Sequence, residues 1–152
     1  MTDLRQLFAE AQSHHHAGRL AEARDLYAEI VGHDPAHADA LNLLGTVLAQ
    51  QGNSEQAVYF MRRAAQVAPS RAPYHTNLGV VLGALGRYDE AKACFERAIK
   101  ADPAFVDAYY NLGNLLKQMD LPEAALLAFE QARTLDPKRT DALINMGNIL
   151  YD

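Results

Sequence analysis

VDAYYNLGNLLKQMDLPEAALLAFEQARTLDPKR, residues 106–139, is one period of a sequence that repeats itself every 34 residues. Windows of the same length at 72–105, 38–71 and 4–37 align on it without a gap, and a partial fifth begins at 140. The alignment superposes Leu44-Gly45, Leu78-Gly79, Leu112-Gly113 and Met146-Gly147. Four residues before these glycines stand Leu41, His75, Tyr109 and Leu143; three after stand Leu48, Leu82, Leu116 and Leu150. Further along each period come Ala23, Ala57, Ala91 and Ala125, then Tyr27, Met61, Phe95 and Phe129, then Ile30, Ala64, Ala98 and Ala132. Near the end of each full window stands a proline: Pro35, Pro69, Pro103 and Pro137. An exact period of this length describes an array of small units that bury each other's faces, since one unit is too short to bury its own.

The spacing within a period specifies two helices. Leu41, Leu44, Gly45 and Leu48 fall at i, i+3, i+4 and i+7, one stripe of a helix. Ala57, Met61 and Ala64 make a second stripe, as do Ala91, Phe95 and Ala98. Small residues on both stripes let two helices approach closely, and the large residue fills the space between them. Gly18, Gly52 and Gly86 lie between the stripes, where a helix ends in a left-handed turn. Asp120 takes that place in the fourth window, a less favourable residue for the same conformation. Pro122 suits the first turn of the following helix, and Ser54 is expected as an N-cap. Each late proline, preceded by Asp34, Ala68, Asp102 or Asp136, stops the second helix.

The large residue, the Leu-Gly pair, the A-x3-F string and the late proline together resemble the tetratricopeptide repeat (TPR), along nearly the whole chain. The family's Trp at the first large position is replaced here by Leu, His and Tyr. The resemblance implies an all-α fold, a right-handed superhelical α-solenoid of antiparallel helix pairs. Residues 1–152 would form one array: a degenerate first repeat at 4–37, repeats at 38–71, 72–105 and 106–139, and an uncapped first helix at 140–152. In the first window Glu10, Ala11 and His14 break the Leu-Gly stripe, and with Arg5, Gln6 and Gln12 they give a polar outer side suited to a terminal unit. The last helix carries Leu143, Met146, Gly147 and Leu150 in register with no second helix to cover it. Either the array continues or this helix packs on another molecule.

Bulk properties exclude several function classes. The chain has 152 residues and a formal net charge of −5. That acidic balance argues against a phosphate-binding surface, which needs clustered Lys and Arg, so nucleic acid is not an expected partner. Apolar runs are too short for a membrane span and the start lacks signal-peptide character, which makes a cytoplasmic protein the default expectation. Cys94 is the lone cysteine, so no internal disulfide forms. His14, His15 and His16 are consecutive and point in different directions on a helix, and Pro35 interrupts the spacing of His33 and His37. With no phosphate-binding glycine loop, nucleophile elbow or zinc-type cysteine pair, the expectation is a chain that is not an enzyme and binds no metal or cofactor.

Function should then lie on the repeated surface. In a curved stack the first helix of each pair lines the concave side. Asn77, Asn111 and Asn145 stand one period apart there, Asn114 and Asn148 add a second row, and Asp39, Asp107 and Asp141 stand at the helix starts. A carboxamide offers one acceptor oxygen and two donor hydrogens, a match for the backbone of an extended peptide regardless of its side chains. Asp at those positions would hold Lys, Arg or hydroxyl groups of the same partner. The alternatives remain open: the asparagines as solvated residues or bridges between units, the aspartates as helix-start charges favoured by the macrodipole.

Two subclasses bear on this choice. Asn77-Leu78-Gly79 and Asn111-Leu112-Gly113-Asn114, with the opening His15-His16-Ala17-Gly18-Arg19-Leu20 and Asp39-Ala40-Leu41, are similar to the repeat region of bacterial O-linked N-acetylglucosamine transferase-like proteins, where an asparagine ladder grips the substrate peptide. Leu43 interrupts the row in the second window. Chaperone-adaptor repeats instead clamp a carboxylate with Lys, Arg and Asn on the first helices, whereas the equivalent faces here offer Asp, Asn, Thr and Tyr and no Lys or Arg pair. The expected function is a non-catalytic protein- or peptide-binding scaffold using the Asn-rich groove, the recruiting part of a larger protein such as a glycosyltransferase. The alternative is an assembly module that self-associates end to end as a homo-oligomer, with Leu143, Met146 and Leu150 as the contact residues.

Overall fold

The computed structural model describes residues 3–151, and among these there are nine helices and no strand. First helices are α1 (Leu4–His16), α3 (Ala38–Gln50), α5 (Ala72–Ala84), α7 (Val106–Gln118) and α9 (Thr140–Tyr151). Second helices are α2 (Leu20–His33), α4 (Ser54–Val67), α6 (Tyr88–Ala101) and α8 (Pro122–Leu135). The chain divides into two compact units, Met1–Pro69 with α1–α4 and Ser70–Asp152 with α5–α9.

The same two turns recur in both units. At the first turn the chain reverses through a left-handed residue: Gly18 (φ 73°) and Gly52 (φ 84°) in the first unit, Gly86 (φ 75°) and Asp120 (φ 59°) in the second. The amide of the next residue reaches back to the preceding helix, as Asn53 N to Leu48 O (2.8 Å) and Leu121 N to Leu116 O (2.9 Å), satisfying carbonyls the helix end would leave open. At the second turn Asp34, Asp102 and Asp136 accept on Oδ1 from the amides of Ala36 (3.1 Å), Ala104 (3.0 Å) and Lys138 (3.1 Å). Their carbonyls accept from His37, Phe105 and Arg139 (3.1 Å each), which closes the Asp-Pro turn twice over. Ser54 differs from expectation: it is the first helical residue of α4, and Asn53 precedes the helix without a side-chain cap. The tight reversal at Gly52 places Asn53 at the boundary and leaves Ser54 inside it.

In the first unit the core contains Ala23, Tyr27, Ile30, Leu41, Leu44, Leu48, Ala57 and Met61, all buried. Gly45 faces Met61, and a Cβ built at Gly45 would lie 2.5 Å from Met61 Cγ. A side chain at that crossing would force Met61 or one of the helices to shift, so glycine is favoured there. The corresponding pair in α1 and α2 is Ala11 and Tyr27, both fully buried. The Tyr27 hydroxyl has no hydrogen-bond partner among the described residues, and burial pushes its pKa up to about 12.

The second unit repeats the crossing twice. A Cβ at Gly79 would lie 2.7 Å from the Phe95 ring, and one at Gly113 would lie 2.7 Å from the Phe129 ring. Ala72, Ala98 and Ala108 join α5, α6 and α7 in a seam of small residues. Leu116, Ala125, Ala128, Phe129 and Ala142 form the core beneath α7, α8 and α9, with Tyr110, Met146 and Ile149 packed on it.

Candidate functional site in the second unit

Stacking brings α5, α7 and α9 of the second unit side by side, and their polar residues onto one face. Asn77, Asn111 and Asn145 are each half-buried on successive first helices. Their amides are not equivalent. Asn111 Nδ2 donates to the carbonyl of Asp107 one turn earlier (2.8 Å). Asn145 Nδ2 donates across to α7, to Asn114 Oδ1 (3.1 Å) and the Tyr110 hydroxyl (3.3 Å). Asn114 therefore receives on its oxygen and keeps both Nδ2 hydrogens for another acceptor. Asn148 is exposed on the last turns of α9.

The aspartates of this unit meet a cation from within the chain. Arg139, in the turn before α9, binds Asp107 through Nη1 and approaches Asp141 Oδ1 at 3.2 Å. Its guanidinium also lies 4.2 Å above the Tyr110 ring centre, within cation–π range. Burial opposes the Arg139 charge, but the hydrogen bonds and charges of Asp107 and Asp141 outweigh it and raise its pKa. Asp141 Oδ1 also accepts from the Ala142 amide (2.8 Å). Asp107 and Asp141 thus serve as anchors for Arg139. Asp39 stands exposed in the first turn of α3, in the first unit.

Beside the amides lies an open cleft of about 250 Å³, between α5 and α7. Gly79, Val80, Gly83, Ala84, Phe95 and Leu115 form its apolar surface, and Asn111, Asn114 and Gln118 its rim. Sequence periodicity marks Asn111 and Asn114 but not the cleft, nor Arg139 as the cation of this face. One signal exists in retrospect: Gly83 stands where other periods have His15, Ala49 and Lys117.

On α9, Met146 is half-buried against α8, whereas Leu143 (47%), Ile144 (63%) and Leu150 (66%) are exposed. Elsewhere the histidines have ordinary partners: Arg19 Nε donates to His14 Nδ1 (2.9 Å), and His15 Nε2 meets Gln50 Oε1 (3.0 Å). Among the described residues no group of three His, Cys, Asp or Glu side chains is placed to hold a metal ion. No helix among them is long and apolar enough to cross a membrane.

Comparison with known proteins agrees with the helical-repeat fold. No curated protein sequence matches the chain. Among solved structures, PilF of Pseudomonas aeruginosa superposes with a TM-score of 0.89 at 23% identity, covering 97% of this chain and 68% of that one. YrrB, described as a TPR protein with an unusual peptide-binding site, gives 0.81 at 24% identity, covering 91% and 71%. An O-GlcNAc transferase of Thermobaculum terrenum gives 0.79 at 27% identity over 88% of this chain but only 27% of its own, so the likeness is to part of that enzyme. Family patterns described as tetratricopeptide repeat match residues 4–29, 38–104 and 76–151, the last covering half of the chain. The helical fold of the described residues and these matches make the chain an all-α solenoid and a member of the tetratricopeptide repeat family, a family of protein-interaction scaffolds.

Proposed function

We propose that the chain is a non-catalytic scaffold that holds an extended peptide segment of a partner protein on the α5–α7–α9 face. The observation that carries this reading is the run of carboxamides from Asn77 through Asn111 and Asn114 to Asn145, set beside an open cleft. Amides recognise backbone groups that an extended peptide leaves unpaired, so recognition tolerates many side chains. The links from Asn145 to Asn114 and from Arg139 to Tyr110 hold these groups in place before a peptide arrives, which reduces the ordering cost of binding. The likeness to the repeat part of an O-GlcNAc transferase supports a narrower version, recruitment of substrate for a larger glycosyltransferase.

The test is binding to an array of unstructured peptides by the chain and by its Asn77→Ala, Asn111→Ala, Asn145→Ala triple variant. Broad binding that the variant loses, at unchanged helicity, supports the reading. Equal binding by both, or none by either, refutes it.

One observation favours a second reading, end-to-end assembly. A Cβ at Gly147 would meet nothing within 4 Å, whereas Gly45, Gly79 and Gly113 are each covered by a large side chain. A helix of a second copy would fill that place beside Leu143 and Leu150. Sedimentation across a concentration series tests it: association that Leu143→Glu abolishes supports assembly, and a monomer throughout refutes it.

A further inference from the structure

The cleft between α5 and α7 owes its depth to the residue that breaks the repeat. Gly79 and Gly83 are one turn apart on α5 and both line the cleft, but only Gly83 would place a Cβ against α7, since a Cβ at Gly79 would meet Phe95 of α6. Gly79 is required by Phe95, as every Leu-Gly glycine is required by the residue beneath it. Gly83 has no such requirement. A Cβ there would sit 3.5 Å from Leu115 Cδ1 and 3.9 Å from Ala91 Cβ, ordinary van der Waals distances. The fold would accept alanine, and a glycine inside a helix is normally a cost to it. Its effect is open space where the neighbouring periods place Ala49 and Lys117.

We infer that Gly83 opens a side-chain pocket that takes one uncharged aliphatic residue of the peptide held on this face. The inference rests on the peptide-binding reading and names what that peptide must carry. Three observations select an aliphatic residue. Six of the nine lining residues are apolar or glycine, and Val80 is left 47% exposed for a ligand to cover. No lining residue is charged, so a Lys or Asp side chain would lose water and gain no counter-ion. The volume, about 250 Å³, lies below the roughly 300–1,000 Å³ of small-molecule sites and suits one side chain with its adjoining backbone. The Nδ2 hydrogens of Asn114 and the carboxamide of Gln118, on the rim, are placed for the backbone on either side of that residue.

The experiment uses labelled, unstructured Ser/Thr peptides in which one guest position carries Gly, Ala, Val, Leu, Asp or Lys. Their affinities are measured by fluorescence anisotropy for the full chain, for Gly83→Ala, for Gly83→Leu and for the Asn triple variant. The chain should prefer Val or Leu over Gly by on the order of tenfold, the scale set by burying one such side chain. Asp and Lys should bind no better than Gly. Gly83→Ala should weaken the preference and Gly83→Leu should erase it, so that Val, Leu and Gly guests bind alike. Gly83→Ala should also melt no lower than the parent, so that a lost preference is not lost folding; it carries the test if Gly83→Leu does not fold. Equal affinity for all guests, lost in the Asn triple variant, would overturn the pocket while leaving the peptide groove standing. A Leu preference that survives Gly83→Leu would do the same. No binding of any peptide by the parent chain would overturn both.

Discussion

Alanine at Gly113 and alanine at Gly83 are chemically one substitution, at two positions on neighbouring first helices, and they should move stability in opposite directions. At Gly113 the new Cβ would meet three atoms of the buried Phe129 ring at 2.7, 2.8 and 2.9 Å. Ordinary contact begins near 3.4 Å, so ring or helix must move by more than half an ångström in a core that also holds Leu116, Ala125 and Ala142. Overpacking of this kind costs roughly 1–3 kcal/mol, and the crowding of three ring atoms argues for the upper end. Helix propensity returns up to about 1 kcal/mol. The expected net loss is about 2 kcal/mol, which at this chain length lowers Tm by roughly 4–8 °C. Gly83→Ala meets nothing closer than 3.5 Å. It should keep the propensity gain, about 0.5–1 kcal/mol, and raise Tm by roughly 1–4 °C. Thermal and urea unfolding followed by far-ultraviolet circular dichroism measures both. Amide exchange on α7 locates the loss, because stability in stacked repeats is partly local. A Gly113→Ala protein that melts within a degree of the parent, or above it, would refute the claim that α7 and α8 cross at glycine distance.

Tyr27→Phe should be neutral or stabilising by about 1 kcal/mol, since it deletes a buried hydroxyl without a partner and keeps the ring. Because the folded protein raises the Tyr27 pKa from 10.0 to about 12, the fold favours the protonated phenol. Its contribution is intact below pH 10 and lost as pH rises towards 12, so Tyr27→Phe should show a shallower alkaline loss of stability than the parent in pH-dependent unfolding. Arg139→Ala removes the tie between Asp107, Asp141 and Tyr110; a loss of about 1 kcal/mol and faster amide exchange in α9 are expected, and Arg139→Lys should recover only part of it. Asp102→Ala deletes the acceptor of the Ala104 amide and should cost about 0.5–1 kcal/mol in urea unfolding.

Much of the architecture is legible in the sequence because each constraint is local and stated several times. Gly18, Gly52 and Gly86 are needed for a backbone conformation that other residues adopt at a cost, and Asp120 shows how far that requirement bends. Gly45, Gly79 and Gly113 are needed because a large side chain from the partner helix occupies the place of a Cβ. Such demands fall on single residues, so periodicity exposes them. The register therefore also identifies which asparagines share a face. Which amide is engaged, and by what, depends on side chains from different repeats meeting across a gap. Asn145 reaches Asn114 and Tyr110, residues 31 and 35 positions earlier, and Arg139 reaches Asp107 from a turn outside the helical pattern. Nothing in the spacing of residues along one helix encodes those distances. The cleft at Gly83 is the same kind of property, an absence on α5 given depth by Phe95 and Leu115 from two other helices. The sequence by itself determined the helices, their turns and their close crossings, since these follow from backbone sterics and the period of one chain segment. The tertiary structure alone decided which polar groups are spent on each other and where space remains, since both depend on how neighbouring helices stack.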